Sequence, residues 1–134
     1  MSKPMASADT AGAVRVRVPA VAEQLPVLRA VANTIATSED FDLAVVLDVT
    51  LAVDELCSTL MRRAGRDEML ECQFVVAGDR LLVHGFVGTD IRSPYSTKSL
   101  GWRMLTDLVE SARTWLDEST AVLHIEMVKV CGTP

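Results

Sequence analysis

The sequence predicts an α/β (α+β) two-layer sandwich, a mixed sheet with its helices on one face. Three observations carry that expectation. Residues 13–18 (AVRVRV) and 121–130 (AVLHIEMVKV) largely alternate apolar and polar side chains with the period of a half-buried strand. Residues 42–64 set apolar side chains at steps of three and four, the period of a helix. Two β-rich runs, 69–77 and 80–87, flank Gly78-Asp79, the mark of a tight hairpin. The element order is β-α-α-β-β-α-β.

The first strand turns Arg15 and Arg17 to water and ends at Pro19, which has no amide to give a ladder. Its edge is a place for partner docking or dimerisation. A helix over 21–37 follows, with Leu25, Leu28, Val31, Ala32 and Ile35 as its apolar stripe and Pro26 tolerable only in its first turn. Ser38-Glu39-Asp40 separates it from the long helix over 42–64. That helix ends on Arg62-Arg63, which favour its dipole, and Gly65 is its expected C′ residue. After the hairpin comes a polar loop, 88–97 (GTDIRSPYST). A third helix is predicted over 98–115, N-capped by Ser99, with Leu100, Met104, Leu105, Leu108, Val109 and Ala112 on one stripe. The strand at 121–130 closes the order. Residues 1–12 read as a disordered lead, and 13–131 as a single domain without internal repeats.

At 134 residues the chain can bury about two-thirds of its unfolded surface. Apolar residues make up 49% and charged residues 23%, an ordinary soluble composition. The net charge of −5 argues against direct affinity for nucleic acid or acidic membranes. No apolar run approaches the roughly 20 residues of a membrane span, and 1–12 lacks the apolar core of a signal peptide. Cys57, Cys72 and Cys131 are odd in number and dispersed, as reduced thiols of a cytoplasmic protein are, and not as a disulfide framework or zinc site. His84 and His124 have no ligand-spaced neighbours and read as structural strand residues. Trp102 and Trp115 read as core or interface anchors.

The long helix holds the candidate chemistry. Leu47, Leu51, Asp54/Glu55, Ser58 and Arg62 share one side of it, read here as a buried face that turns acidic halfway along. A carboxylate on such a face costs desolvation, which often marks a site. Glu55 is the carboxylate of most chemical promise; its structural alternative is a place on the helix's solvated rim or an ion pair with Arg62 or Arg63. Asp54 reads as surface charge, and Cys57, with no histidine in helical reach, as a core residue.

The run LAVDELCSTLMRRA at 51–64, the hairpin, the loop, SLGWRMLTDLVE at 99–110 and the closing strand together resemble the GHKL (Bergerat-fold, histidine-kinase-like) ATPase domain of RsbW-like anti-sigma factors and serine kinases, the mycobacterial SigF-regulator type in particular. The likeness spans about Val14 to Val130. Leu51-Ala52-Val53-Asp54-Glu55 matches the first box of that family, and Ser99-Leu100-Gly101-Trp102 corresponds to its Gly-Leu-Gly-Leu turn. The resemblance implies ATP and Mg²⁺ as cofactors, Glu55 as the catalytic base, Thr59 at the position of the Mg²⁺-ligating Asn, and Asp90, Ser99, Leu100 and Gly101 around the nucleotide. It also implies a homodimer.

Three departures bear on those roles. Thr59 offers a hydroxyl on a shorter arm than the family's Asn. HGFVGTD at 84–90 holds glycines but no Asp-x-Gly-x-Gly, and Gly101 is the one glycine left of the paired set that would present amides to phosphates. The expected function is therefore that of an anti-sigma factor, which sequesters an alternative sigma factor and is antagonised by an anti-anti-sigma (STAS) protein, with weak or absent nucleotide use. The alternatives are an active Mg-ATP-dependent serine kinase acting on the anti-anti-sigma factor, and a generic interaction domain of the same fold.

Overall fold

The computed structural model describes residues 12–132, so all of the expected lead except Gly12 lies outside the described residues. Strand β1 (Val14–Pro19) leads through a 3-10 turn (Ala22–Gln24) into α1 (Leu25–Ser38) and α2 (Leu43–Arg63). Then come β2 (Met69–Ala77), β3 (Arg80–Gly88), α3 (Leu100–Leu108), β4 (Ser111–Asp117) and β5 (Val122–Val130). The strands form one five-stranded sheet in the order β1-β2-β3-β5-β4. The helices cover one face of it, so the two-layer sandwich is as the periodicities predicted.

Two features of the sheet differ from expectation, and they share a cause. The helix predicted over 98–115 stops at Leu108, Val109 is already extended, and Ser111–Asp117 is an edge strand on β5. Ala112, Leu116 and Val109 do reach the core, but the first two do so from alternate positions of a strand. What overrides the helical stripe is cross-strand pairing: Trp115 lies opposite His124 and Arg113 opposite Glu126. Every strand pairing is antiparallel, so the sheet is not mixed. Inserting β4 explains this. The chain returns from α3 through the β4–β5 hairpin, which reverses the direction in which β5 meets β3.

The remaining elements form for the reasons the sequence gives. Pro26 sits in the first turn of α1, where its missing amide costs no helical bond. Gly78 takes φ +61° in the β2–β3 turn, a conformation that side-chain-bearing residues resist. Gly65 does not cap α2 with a left-handed conformation as expected. Ala64 is the C-cap, and the Gly65 amide donates to the Gly88 carbonyl at 2.8 Å, tying the helix end to the end of β3.

The core lies between α2 and the central strands. Val49, Val53, Leu56 and Leu60 from the helix meet Leu70, Phe74, Val83 and Ile125 from the sheet, all excluded from solvent. Gly85 permits this closeness: a Cβ there would lie 2.7 Å from Leu56 Cδ2 and 2.8 Å from Leu60 Cδ1. Buried Lys129, on β5, donates to Asp48 Oδ2 at 3.3 Å and to the Leu108 carbonyl at 2.9 Å. It thereby fixes the C-terminal end of α3 beside the first half of α2. Among the described residues no helix is long and apolar enough to cross a membrane.

Candidate functional site

The sheet-facing side of α2 is Val46, Val49, Val53, Leu56 and Leu60, so the row through Leu47, Leu51, Glu55 and Arg62 looks outward. The expectation of a buried face turning acidic is corrected on this point: Leu47 and Leu51 are 55% and 57% exposed. The helix has apolar residues on more than one side, and periodicity alone does not say which side a sheet will take.

Around Glu55 the structure assembles a closed polar cluster. Thr59 Oγ1 donates to Glu55 Oε2 at 3.2 Å and accepts from Arg62 Nη2 at 3.2 Å. Arg62 Nη2 also stands 3.6 Å from Glu55 Oε2, the ion pair that was the structural alternative for that carboxylate. Thr59 is buried, at 2% exposure. Asp54 pairs with Arg29 of α1.

The start of α3 packs against this cluster. Ser99 caps the helix, its Oγ accepting from the Trp102 amide at 3.1 Å and donating to Tyr95 Oη at 2.7 Å. A Cβ on Gly101 would lie 2.5 Å from Glu55 Oε2 and 3.1 Å from Tyr95 Oη. The carboxylate thus rests against the first turn of the helix, where negative charge is favoured. Leu100, beside it, is 72% exposed.

The loop between β3 and α3 is fastened over the end of α2. Arg63 donates to the Ser93 carbonyl, and its guanidinium sits 6.0 Å from the Tyr95 ring centre. Thr89 Oγ1 donates to the Arg63 carbonyl at 2.6 Å and accepts from the Ile91 amide at 3.0 Å. Tyr95 meets Trp102 edge-on.

Of the residues singled out from the sequence, Glu55, Thr59, Ser99 and Gly101 come together in space. Asp90 does not join them: it lines a cavity of about 350 Å³ with Arg17, Glu68, Glu71, Phe86 and Thr89, in which neither Glu55 nor Gly101 takes part. Tyr95 is the member that sequence reasoning did not place, and Arg63, expected at the helix end or paired with Glu55, reaches Ser93 and Tyr95 instead. An aromatic ring after a proline in an otherwise polar loop was the available signal for Tyr95.

The cysteines are all free and buried. A side-chain hydrogen bond with Cys57, then burial, push the Cys72 thiol well above its ordinary value. Burial likewise raises Cys131. Such thiols are poor nucleophiles, in keeping with a core role. Among the described residues no group of three or more His, Cys, Asp or Glu side chains is suited to holding a metal ion. His84 and His124 bond each other, Nε2 to Nδ1 at 2.9 Å, on the helix-free face of the sheet.

No protein-family model matches the chain. Over 105 residues, 78% of its length, it is 34% identical to the anti-sigma-F factor RsbW of Mycobacterium tuberculosis, in strains CDC 1551 / Oshkosh and ATCC 25618 / H37Rv. The chain is RsbW-like, of the mycobacterial type. It spans 62% of the length of those curated relatives. The crystal structure of the RsbU and RsbW domains of Rv1364c from Mycobacterium tuberculosis matches 91% of this chain and 33% of that one, with TM-score 0.71. At 15% identity that likeness is one of fold. The five-stranded sheet and three helices of the RsbW-like chain are thus an arrangement already seen in that solved structure.

Proposed function

We propose that this RsbW-like chain is an anti-sigma factor that sequesters an alternative sigma factor through the outer side of α2 and α3, is released by an anti-anti-sigma (STAS) protein, and does so without using nucleotide. The observation that carries the reading is a band of exposed apolar side chains. Leu43, Leu47 and Leu51 succeed one another along α2, and Leu100 and Met104 stand on α3, which runs alongside. Scattered exposed leucines need no explanation, but a contiguous band of them marks an interaction surface. The band suits the apolar face of an amphipathic helix. A chain of net charge −5 suits a basic one, which is the character of sigma-factor segments. The name of the curated relatives, anti-sigma-F factor, supports a sigma factor as the partner.

The geometry around Glu55 favours sequestration over the serine-kinase reading. Thr59 commits its hydroxyl to Glu55 and Arg62, and the Glu55 carboxylate fills the approach to Gly101. As they stand, these residues do not fit a magnesium-bound triphosphate, which needs free oxygen ligands and open amides.

Calorimetric titration of the protein with the alternative sigma factors of its own genome, with and without ATP and Mg²⁺, tests the reading. We expect binding to one sigma factor, indifferent to nucleotide and lost in Leu51→Asp. Absence of any sigma binding overturns it. Magnesium-dependent ATP binding followed by phosphate transfer to a STAS protein restores the kinase alternative. In that experiment Glu55→Ala and Thr59→Asn report whether these two side chains keep nucleotide out.

A further inference from the structure

Leu123, Ile125, Met127 and Lys129 on β5, with Cys131 just beyond it, share the buried side of that strand. Four of the five are what a core row calls for. Lys129 breaks the pattern. It is the one buried charged residue among the described residues, and its side chain is 10% exposed. A charge at a core position costs desolvation, so its presence there asks for a reason beyond packing.

The two acceptors of its ammonium lie on different helices. Asp48, on α2, accepts from Nζ at 3.3 Å, and the carbonyl of Leu108, the last residue of α3, accepts at 2.9 Å. The last carbonyls of a helix lack an internal partner, and its dipole favours a cation there. The other end of α3 meets α2 at Gly101, whose backbone abuts the Glu55 carboxylate. Gly101 and Leu108 lie about two turns apart on α3, and Glu55 and Asp48 lie about two turns apart on α2, in the reverse order. The short helix is thus held against the long one at two matched points, antiparallel to it. One of those points is Lys129.

We propose that Lys129 is a positioning residue: it fixes the placement of α3 against α2, so that Leu100 and Met104 on one helix and Leu47 and Leu51 on the other meet a single partner segment. A buried ion pair adds little net stability, because desolvation of the ammonium offsets the attraction. What it adds is direction. Apolar contacts let packed elements lose uniqueness before they lose stability, whereas the ammonium reaches both acceptors only where hydrogen-bond distance and angle are met. Lys129 is too buried to touch a partner and acts through Asp48 and the Leu108 carbonyl. For its partner this inference rests on the sigma-factor reading; the placement of α3 does not.

Pulsed electron-spin distance measurement and titration with the alternative sigma factors of its own genome test it together. Spin labels on Ala44→Cys of α2 and Thr106→Cys of α3, both exposed whereas the native thiols are buried, should give one narrow distance. Adding Lys129→Met should broaden or shift that distance while moving the urea midpoint little, because Asp48, 41% exposed at its side chain, stays hydrated. In the unlabelled chain Lys129→Met should lower sigma affinity about tenfold or more. If circular dichroism shows that Lys129→Met does not fold, Asp48→Asn, at a half-exposed site, carries the distance measurement in its place. An unchanged narrow distance overturns the proposal, and a lowered urea midpoint beside it would mark an ordinary structural ion pair. Full sigma affinity in a Lys129→Met chain whose distance has broadened also overturns it. A wild type that binds no sigma factor fails the sigma reading alone, and the distance then decides whether Lys129 places α3.

Discussion

The two halves of α2 differ in how they treat the same outward side. Its first half leaves Leu43, Leu47 and Leu51 in water. Its second half carries Glu55, Thr59, Arg62 and Arg63, and there most polar groups are spoken for: Glu55 by Thr59 and Arg62, the Arg63 carbonyl by Thr89, one Arg63 Nη by Ser93, while Arg63 Nε is buried without a partner. A free chain gains nothing from exposed leucines, whereas a polar cluster that meets most of its own hydrogen-bonding needs has less call for an outside partner. The half that looks chemically inert is the one left open to a partner. The half that looks catalytic is closed on itself.

The sharpest way to break this contrast is to spoil the open half. Leu47→Asp together with Leu51→Asp should lower affinity for the proposed sigma partner by about a hundredfold or more, or roughly 2–4 kcal/mol, as loss of apolar anchors does. Stability, read by urea denaturation, should change by under about 0.5 kcal/mol because neither side chain packs in the core. Equal losses of binding and stability would instead put these leucines in the fold.

The closed half should respond the other way. Gly101→Ala drives a methyl group to within 2.5 Å of Glu55 Oε2, and the carboxylate must move. We expect a loss of about 1–3 kcal/mol in stability, and sigma binding should be unaffected. Adding Glu55→Ala should recover part of that loss, and a double-mutant cycle reads the coupling directly. Strict additivity of the two would mean that the contact between them carries no energy.

The smallest effect belongs to the loop. Tyr95→Phe removes the hydroxyl that accepts from Ser99 but leaves the ring under Arg63 and beside Trp102. Ser99 keeps its cap on the Trp102 amide, so the loss should be about 0.5–1.5 kcal/mol. Hydrogen exchange should locate it at the start of α3.

Some of this organisation was legible in residues alone, because it is local. The hairpin at Gly78-Asp79, the Ser99 cap, the limits of α2 and the first-turn placement of Pro26 each follow from chemistry within a few positions of the chain. The box at 51–55 pointed to the helix that carries Glu55, and the spacing put Thr59 one turn beyond it. What failed was whatever depended on a distant neighbour. Residues 109–117 read as helix until His124 and Glu126 are set beside Trp115 and Arg113. In sequence the outward side of α2 reads as its core side, because Leu47 and Leu51 are as apolar as Val49 and Val53.

The sequence by itself therefore determined every element except β4 and the end of α3, together with the fold class and the family resemblance, since backbone propensity, capping and periodicity act over a turn or a strand. Only the tertiary structure decided that the sheet is wholly antiparallel, that Glu55 rests against Gly101 under Tyr95, and that one side of α2 and one face of the sheet remain uncovered. Those facts are set by which surfaces meet. Burial is a property of pairs of elements, and no single stretch of chain states its partner.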